Sequence, residues 1–210
     1  MNTPPFLDRL ILIRHCSTEL NEQAKVIGSS DPCLSKLGLM QLEELRVWVS
    51  SRGSDAALAL SSDLRRCRET ADLLSNRVHA SELLRERDLG DLEGLTSEQL
   101  IDWKKSRGLP LEDPSLVWDG VGEVESDEAM VERFSQALGQ LDETSGREVF
   151  VVTHAGMLKS VVYHFLDIPS ERPYAIKFGL GSAIVLSRQG SRFELHQLWE
   201  NPHARKRNSA

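Results

Sequence analysis

Two short apolar runs each end in a polar segment. Leu10-Ile11-Leu12-Ile13 leads into Arg14-His15-Cys16-Ser17-Thr18, and Val149-Phe150-Val151-Val152 leads into Thr153-His154-Ala155-Gly156. Continuous apolar runs of this length read as strands buried on both faces, as in a parallel sheet. The polar residues then fall at the carboxyl ends of the strands, where open α/β sheets place ligands. Ala56-Ala57-Leu58-Ala59-Leu60 is a third such run, and it passes into Ser61-Ser62-Asp63-Leu64-Arg65-Arg66.

Between these runs the apolar spacing becomes helical. Leu39, Leu42, Leu45 and Val49 predict a helix over 36–51 capped by Ser35. Leu64, Cys67, Ala71 and Leu74 predict another over 64–74. Residues 78–81 read as a short strand, 83–95 as a charged loop, and 97–106 as a helix capped by Ser97. Ser126, followed by Asp127 and Glu128, starts a helix predicted to run to about 144, with acidic residues suited to its positive end. A helix follows His154 through about 166, and a hairpin closes the pattern over 182–188 and 192–199. This order predicts an α/β fold, a three-layer sandwich whose central sheet is mostly parallel with an antiparallel edge, helices on both faces. We read 1–200 as a single domain with a small insertion at about 97–125, and 201–210 as a basic, frayed tail.

Composition narrows the class. The 210 residues are 40% hydrophobic and 27% charged, with a net charge of -7. That balance argues against a general nucleic-acid binder, although a local arginine cluster can still dominate one cleft. No apolar run is long enough to span a membrane and no leader pattern opens the chain, so a cytoplasmic location is expected. Cys16, Cys33 and Cys67 have no CxxC spacing, which argues against a disulfide framework and a structural zinc site. No metal or other cofactor is expected. The absence of a GxxxxGK[ST] loop disfavours a nucleotide kinase.

The strand ends carry the candidate chemistry. Arg14 and Arg66 each follow a buried strand, where a guanidinium can fork onto phosphate or carboxylate oxygens. His154 and Ala155 open a helix whose N–H groups favour an anion. Taken singly, a strand-end histidine is more often structural and an arginine more often an ion-pair partner. Together, two arginines, two histidines and a helix end can hold a phosphoryl group, with a histidine as nucleophile. A departing alkoxide needs a proton, and Glu86, Asp88, Asp91 and Glu93 are four candidate acids that chemistry alone does not separate.

Four segments, in order, resemble the histidine phosphatase superfamily, also called phosphoglycerate mutase-like. They are Leu12-Ile13-Arg14-His15, Asp31-Pro32-Cys33-Leu34-Ser35-Lys36-Leu37-Gly38, Ser61-Ser62-Asp63-Leu64-Arg65-Arg66-Cys67-Arg68-Glu69-Thr70-Ala71, and Val151-Val152-Thr153-His154-Ala155-Gly156. The resemblance implies that His15 accepts the phosphoryl group and that Arg14, Arg66 and His154 hold its oxygens. It selects Glu86 as the acid, through Leu84-Arg85-Glu86-Arg87-Asp88-Leu89-Gly90. It also places Asn21, Lys25, Gly28 and Ala155 in the phosphate- and substrate-binding set.

Three departures stand out. Cys16 occupies the place of the family's usual glycine, either as a small tolerated side chain or as an oxidation-sensitive thiolate stabilised by the arginines. Ser17 stands where an acidic residue is common. Lys25 stands where many members have arginine, keeping the charge but losing the bidentate fork.

Only a short stretch separates Glu86 from His154, which resembles the small phosphatase branch of the family, including alpha-ribazole and broad-specificity phosphatases. The implied function is a phosphomonoesterase acting on a small phosphorylated metabolite through a phosphohistidine. The alternatives are phosphoglycerate mutase-type transfer and a non-catalytic phosphate-binding module. His79, His164, His196 and His203 read as structural or surface residues, and Trp103, Lys104, Lys105, Arg107 and Trp118 as a charged face of the insertion. The terminal hairpin leaves an edge, so the chain is expected as a monomer or a homodimer.

Overall fold

The computed structural model describes residues 3–23, 25, 27–28, 30–53, 58–108, 124–169 and 175–204. Six strands form one sheet: β1 (Arg9–Arg14), β2 (Ala59–Ser62), β3 (Val78–Ser81), β4 (Glu148–Thr153), β5 (Ala183–Gln189) and β6 (Arg192–Trp199), in the order β3-β2-β4-β1-β5-β6. β3, β2, β4 and β1 pair in parallel, and β5 runs antiparallel to both β1 and β6. The predicted sandwich is therefore present, with its apolar runs at the centre.

The helices are α1 (Glu19–Glu22), α2 (Lys36–Ser51), α3 (Arg65–Ala71), α4 (Ser97–Ser106), α5 (Asp127–Leu138) and α6 (Ala155–Phe165). Alternation along the strands divides the core. Leu10, Leu12, Val149 and Val151 pack with Met130 and Phe134 of α5 and Leu158 and Val161 of α6. Ile11, Ile13, Phe150 and Val152 pack on the other face with Leu42 and Leu45 of α2 and Cys67 and Ala71 of α3. Both faces are covered, which is why these strands read as unbroken apolar runs.

The chain leaves β1 toward one face and β4 toward the other. The crevice at the carboxyl ends of these neighbours is thus a topological switch point.

Ser35 caps α2 as predicted, accepting the Gly38 N–H at 3.1 Å. Gly38 lies so close to the β1–α1 loop that a Cβ would sit 2.1 Å from the Ser17 carbonyl oxygen. Several boundaries differ from expectation. α4 is capped by Thr96 in a reciprocal box with Gln99, not by Ser97. α5 stops at Leu138, because Asp142 turns its carboxylate onto the Thr144 N–H and closes a separate short turn. β2 extends through Ser62, while 56–57 lie outside the described residues.

Part of the segment expected as a tail, 201–204, is described. Asn201 is buried and donates through Nδ2 to the carbonyls of Gln41 and Gly181, which pins 201–204 against α2. Residues 205–210 lie outside the described set. Among the described residues, no helix is long and apolar enough to cross a membrane.

Candidate active site

Register brings the two strand-end histidines together. Arg14 of β1 pairs with Thr153 of β4, so the next residue of each strand, His15 and His154, emerges beside the other. The His15 N–H donates to the Thr153 carbonyl at 2.9 Å. The two rings meet edge to face with centroids 5.2 Å apart. Both residues are buried.

The hydrogen bonds assign the tautomers. His15 Nδ1 lies 2.7 Å from the Cys16 carbonyl, which only accepts, so Nδ1 carries the proton and Nε2 keeps its lone pair. Burial, then the charges of Arg66 and Arg14, hold His15 well below the ordinary imidazole range. His154 Nδ1 lies 3.1 Å from Arg66 Nη2, which only donates. The proton of neutral His154 is therefore on Nε2, 3.4 Å from Cys67 Sγ. Sulfur is a weak acceptor, so an incoming oxygen can take that proton from it. Burial and Arg66 also hold His154 well below the ordinary range.

Arg66 is the second residue of α3, four positions after the end of β2, and is 1% exposed. Nη1 donates to the Ser30 carbonyl at 2.5 Å and Nη2 to the Gly28 carbonyl at 3.0 Å. Nε is buried without a protein partner, and a buried donor of that kind suits an anion brought by a ligand. Arg14 donates to the Phe178 carbonyl at 2.8 Å and lies close enough for its charge to act on both imidazoles.

The candidate acids lie in different surroundings. The Glu86 carboxylate sits at the N-terminus of α6, accepting the Met157 N–H at Oε1 and the Gly156 N–H at Oε2, both at 3.2 Å, with the Arg87 N–H 2.8 Å from Oε1. A Cβ on Gly156 would lie 2.4 Å from Oε1, so only glycine allows this approach. Asp88 faces the Gly90 N–H in an exposed turn, and Glu93 binds Ser30. The side chain of Asp91 lies outside the described residues. The helix end expected to take phosphate thus gives two of its amides to Glu86, beside half-buried Ala155.

Two arginines that the sequence reading passed over hold the Glu86 segment from behind. Arg133 of α5 donates to the carbonyls of Leu83, Arg85 and Glu86 and pairs with the Glu125 carboxylate. Buried Arg87 donates to the Glu125 carbonyl, to Asp127 and to Ser160. The only local sign of Arg87 was its position beside Glu86, and nothing in the helical pattern marked Arg133.

The residues expected to bind substrate have the following surroundings. The Gly28 carbonyl orients Arg66. Asn21 Oδ1 accepts the Thr18 N–H and hydroxyl, capping α1. Lys25 is exposed, and its backbone bridges to Thr96.

Cys16 is buried among apolar side chains, and burial pushes its thiol up to about 12. Burial disfavours the thiolate and favours the reading of Cys16 as a small packing side chain at the turn. Lys104 departs from the expected solvated face, because it is buried. Arg107 stacks 4.0 Å over the Trp103 ring, while Trp118 lies outside the described residues.

The depressed imidazoles set a pH dependence. The unfolded chain takes up protons as pH falls through the ordinary 6.5, whereas folded His15 and His154 stay neutral well below it. Stability is therefore unchanged by these groups above about pH 6.5 and falls below it, by up to about 1.4 kcal/mol per pH unit for each histidine. Thermal midpoints measured across this range should drop on the acid side, and His154→Asn should flatten the slope.

The sequence matches the model of the histidine phosphatase superfamily (branch 1) over residues 10–201. Glucosyl-3-phosphoglycerate phosphatase of Mycobacterium tuberculosis is 32% identical over 187 residues, covering 83% of this chain and 82% of that protein. The 2,3-bisphosphoglycerate-dependent phosphoglycerate mutase of Methylorubrum extorquens is 31% identical over 117 residues, and the match spans 48% of this chain and 55% of the mutase. Among solved structures, mycobacterial glucosyl-3-phosphoglycerate phosphatase aligns with a TM-score of 0.73 at 29% identity, over 91% of this chain and 98% of the other.

Proposed function

The chain belongs to the histidine phosphatase superfamily (branch 1), and from that membership we propose that it is a phosphomonoesterase of a small phosphorylated metabolite. His15 Nε2 attacks phosphorus, the ester P–O bond breaks, and Glu86, entering the cycle in its protonated form, gives its proton to the departing oxygen. Water then attacks phospho-His15 and passes a proton to Glu86, releasing inorganic phosphate and restoring the imidazole. Arg66, Arg14 and the His154 Nε2 proton balance charge on the equatorial oxygens, so no metal is needed for that role.

The observation that carries this reading is the pairing of His15, whose Nε2 lone pair is uncommitted, with a buried Arg66 whose Nε lacks a protein partner. Similarity to glucosyl-3-phosphoglycerate phosphatases supports hydrolysis of a phosphorylated metabolite. Similarity to the mutases supports a second reading, in which phospho-His15 returns its group to another hydroxyl.

Purified protein offered a panel of phosphorylated metabolites, glucosyl-3-phosphoglycerate among them, is expected to release inorganic phosphate. Conversion of 3-phosphoglycerate to its 2-isomer with the bisphosphate primer, without net phosphate release, would establish the mutase instead. Phosphate binding with no turnover on any substrate would leave a binding module.

A further inference from the structure

Arg66 is aimed by two carbonyls, Gly28 and Ser30, on a loop that belongs to no helix or strand. Such a loop needs its own support to hold a guanidinium in one place. That support comes from Glu93, far along the chain. Its Oε1 accepts both the Ser30 N–H, at 2.6 Å, and the Ser30 hydroxyl, at 2.7 Å. Its carboxyl carbon lies 3.3 Å from the place a Cβ on Gly28 would occupy, so the carboxylate packs directly on the loop. The Lys25–Thr96 bridge pairs the same two segments a few residues away.

We propose that Glu93 is a positioning residue, which sets the direction of Arg66 by fixing the loop whose carbonyls hold it. This rests on the reading of Arg66 as the phosphoryl holder. Glu93 meets Ser30, not the reacting atoms, so its effect passes through Arg66. Both Ser30 donors converge on one oxygen, and a glutamine at position 93 keeps an acceptor oxygen for them while removing the charge. Loss of the acceptor altogether frees the Ser30 N–H and lets the loop drift. Displacing a positioned group by about 1 Å costs up to about a hundredfold in function.

The test is a 31P NMR titration of inorganic phosphate, which needs no turnover, on wild type, Glu93→Gln, Glu93→Ala, Arg66→Ala and the Glu93→Ala/Arg66→Ala double variant. We expect Glu93→Ala to weaken phosphate binding about tenfold or more and Glu93→Gln to stay within about threefold. Glu93→Ala should cost nothing further once Arg66 is gone, as for residues acting through one another. Wild-type binding in Glu93→Ala, or a full loss that persists without Arg66, overturns the proposal while leaving the phosphate site intact. Arg66-independent binding in wild type, or none, overturns the phosphate site and this proposal with it. Should Glu93→Ala fail to fold, Ser30→Ala enters the same cycle, and a loss that vanishes without Arg66 is the supporting result.

Discussion

His15→Ala is expected to lower p-nitrophenyl phosphate hydrolysis by at least about a thousandfold, because it removes the proposed phosphoryl acceptor. On the proposed roles, the residual rate would be that of water attacking a phosphoryl group still held by Arg66 and Arg14. The variant should stay folded, since the side chain gives up one hydrogen bond, to the Cys16 carbonyl. A base-stable, acid-labile phosphorylated species trapped in wild type should be absent from His15→Ala. Equal rates in the two proteins, or no hydrolysis by either at any pH tested, would sink the phosphatase reading. Neutral His15 also predicts activity sustained below pH 6.5, because burial and two arginines keep the lone pair free.

Arg66→Ala is expected to combine the second largest loss of rate with a measurable loss of stability. Removing a preorganised donor to developing charge costs about a hundred- to a thousandfold in kcat. The same change strips a donor from the Gly28 and Ser30 carbonyls and from His154 Nδ1. Buried acceptors left without partners, here the Gly28 carbonyl and His154 Nδ1, cost about 1–3 kcal/mol each before water or relaxation recovers part of it, so the denaturation midpoint should fall clearly. Arg66→Lys separates charge from geometry. Lysine keeps the positive charge but cannot reach two carbonyls and a phosphoryl oxygen through one planar fork. We expect it to recover part of the stability and little of the rate. Wild-type kcat/KM in Arg66→Lys would show that charge alone suffices.

Much of this was readable along the chain. β1, β3, β4 and β6 fall within a residue or two of the predicted runs, and α2 has its predicted cap and length. Burial is written locally, since an unbroken apolar run or a helical period records which faces a segment hides. Where a competing local bond intervened, as at Asp142 beyond α5, periodicity overran the true end. The resemblance to a family supplied the proposed roles of His15, Arg14, Arg66, Glu86 and His154, which periodicity could not.

By itself, then, the sequence determined the layers of the sandwich, the two histidines at strand ends and the shortlist of acids. Only the tertiary structure decided who faces whom. The β1–β4 register set His15 against His154. The turn into α6 gave two helix amides to Glu86, when nothing along the chain distinguished it chemically from its acidic neighbours. Burial turned Cys16 into a packing side chain and drew Asn201 out of an expected tail. The physical reason is one of range. Propensity, period and capping act over a few residues, whereas a side chain's hydrogen-bond partners and protonation depend on whatever distant segment the sheet lays beside it.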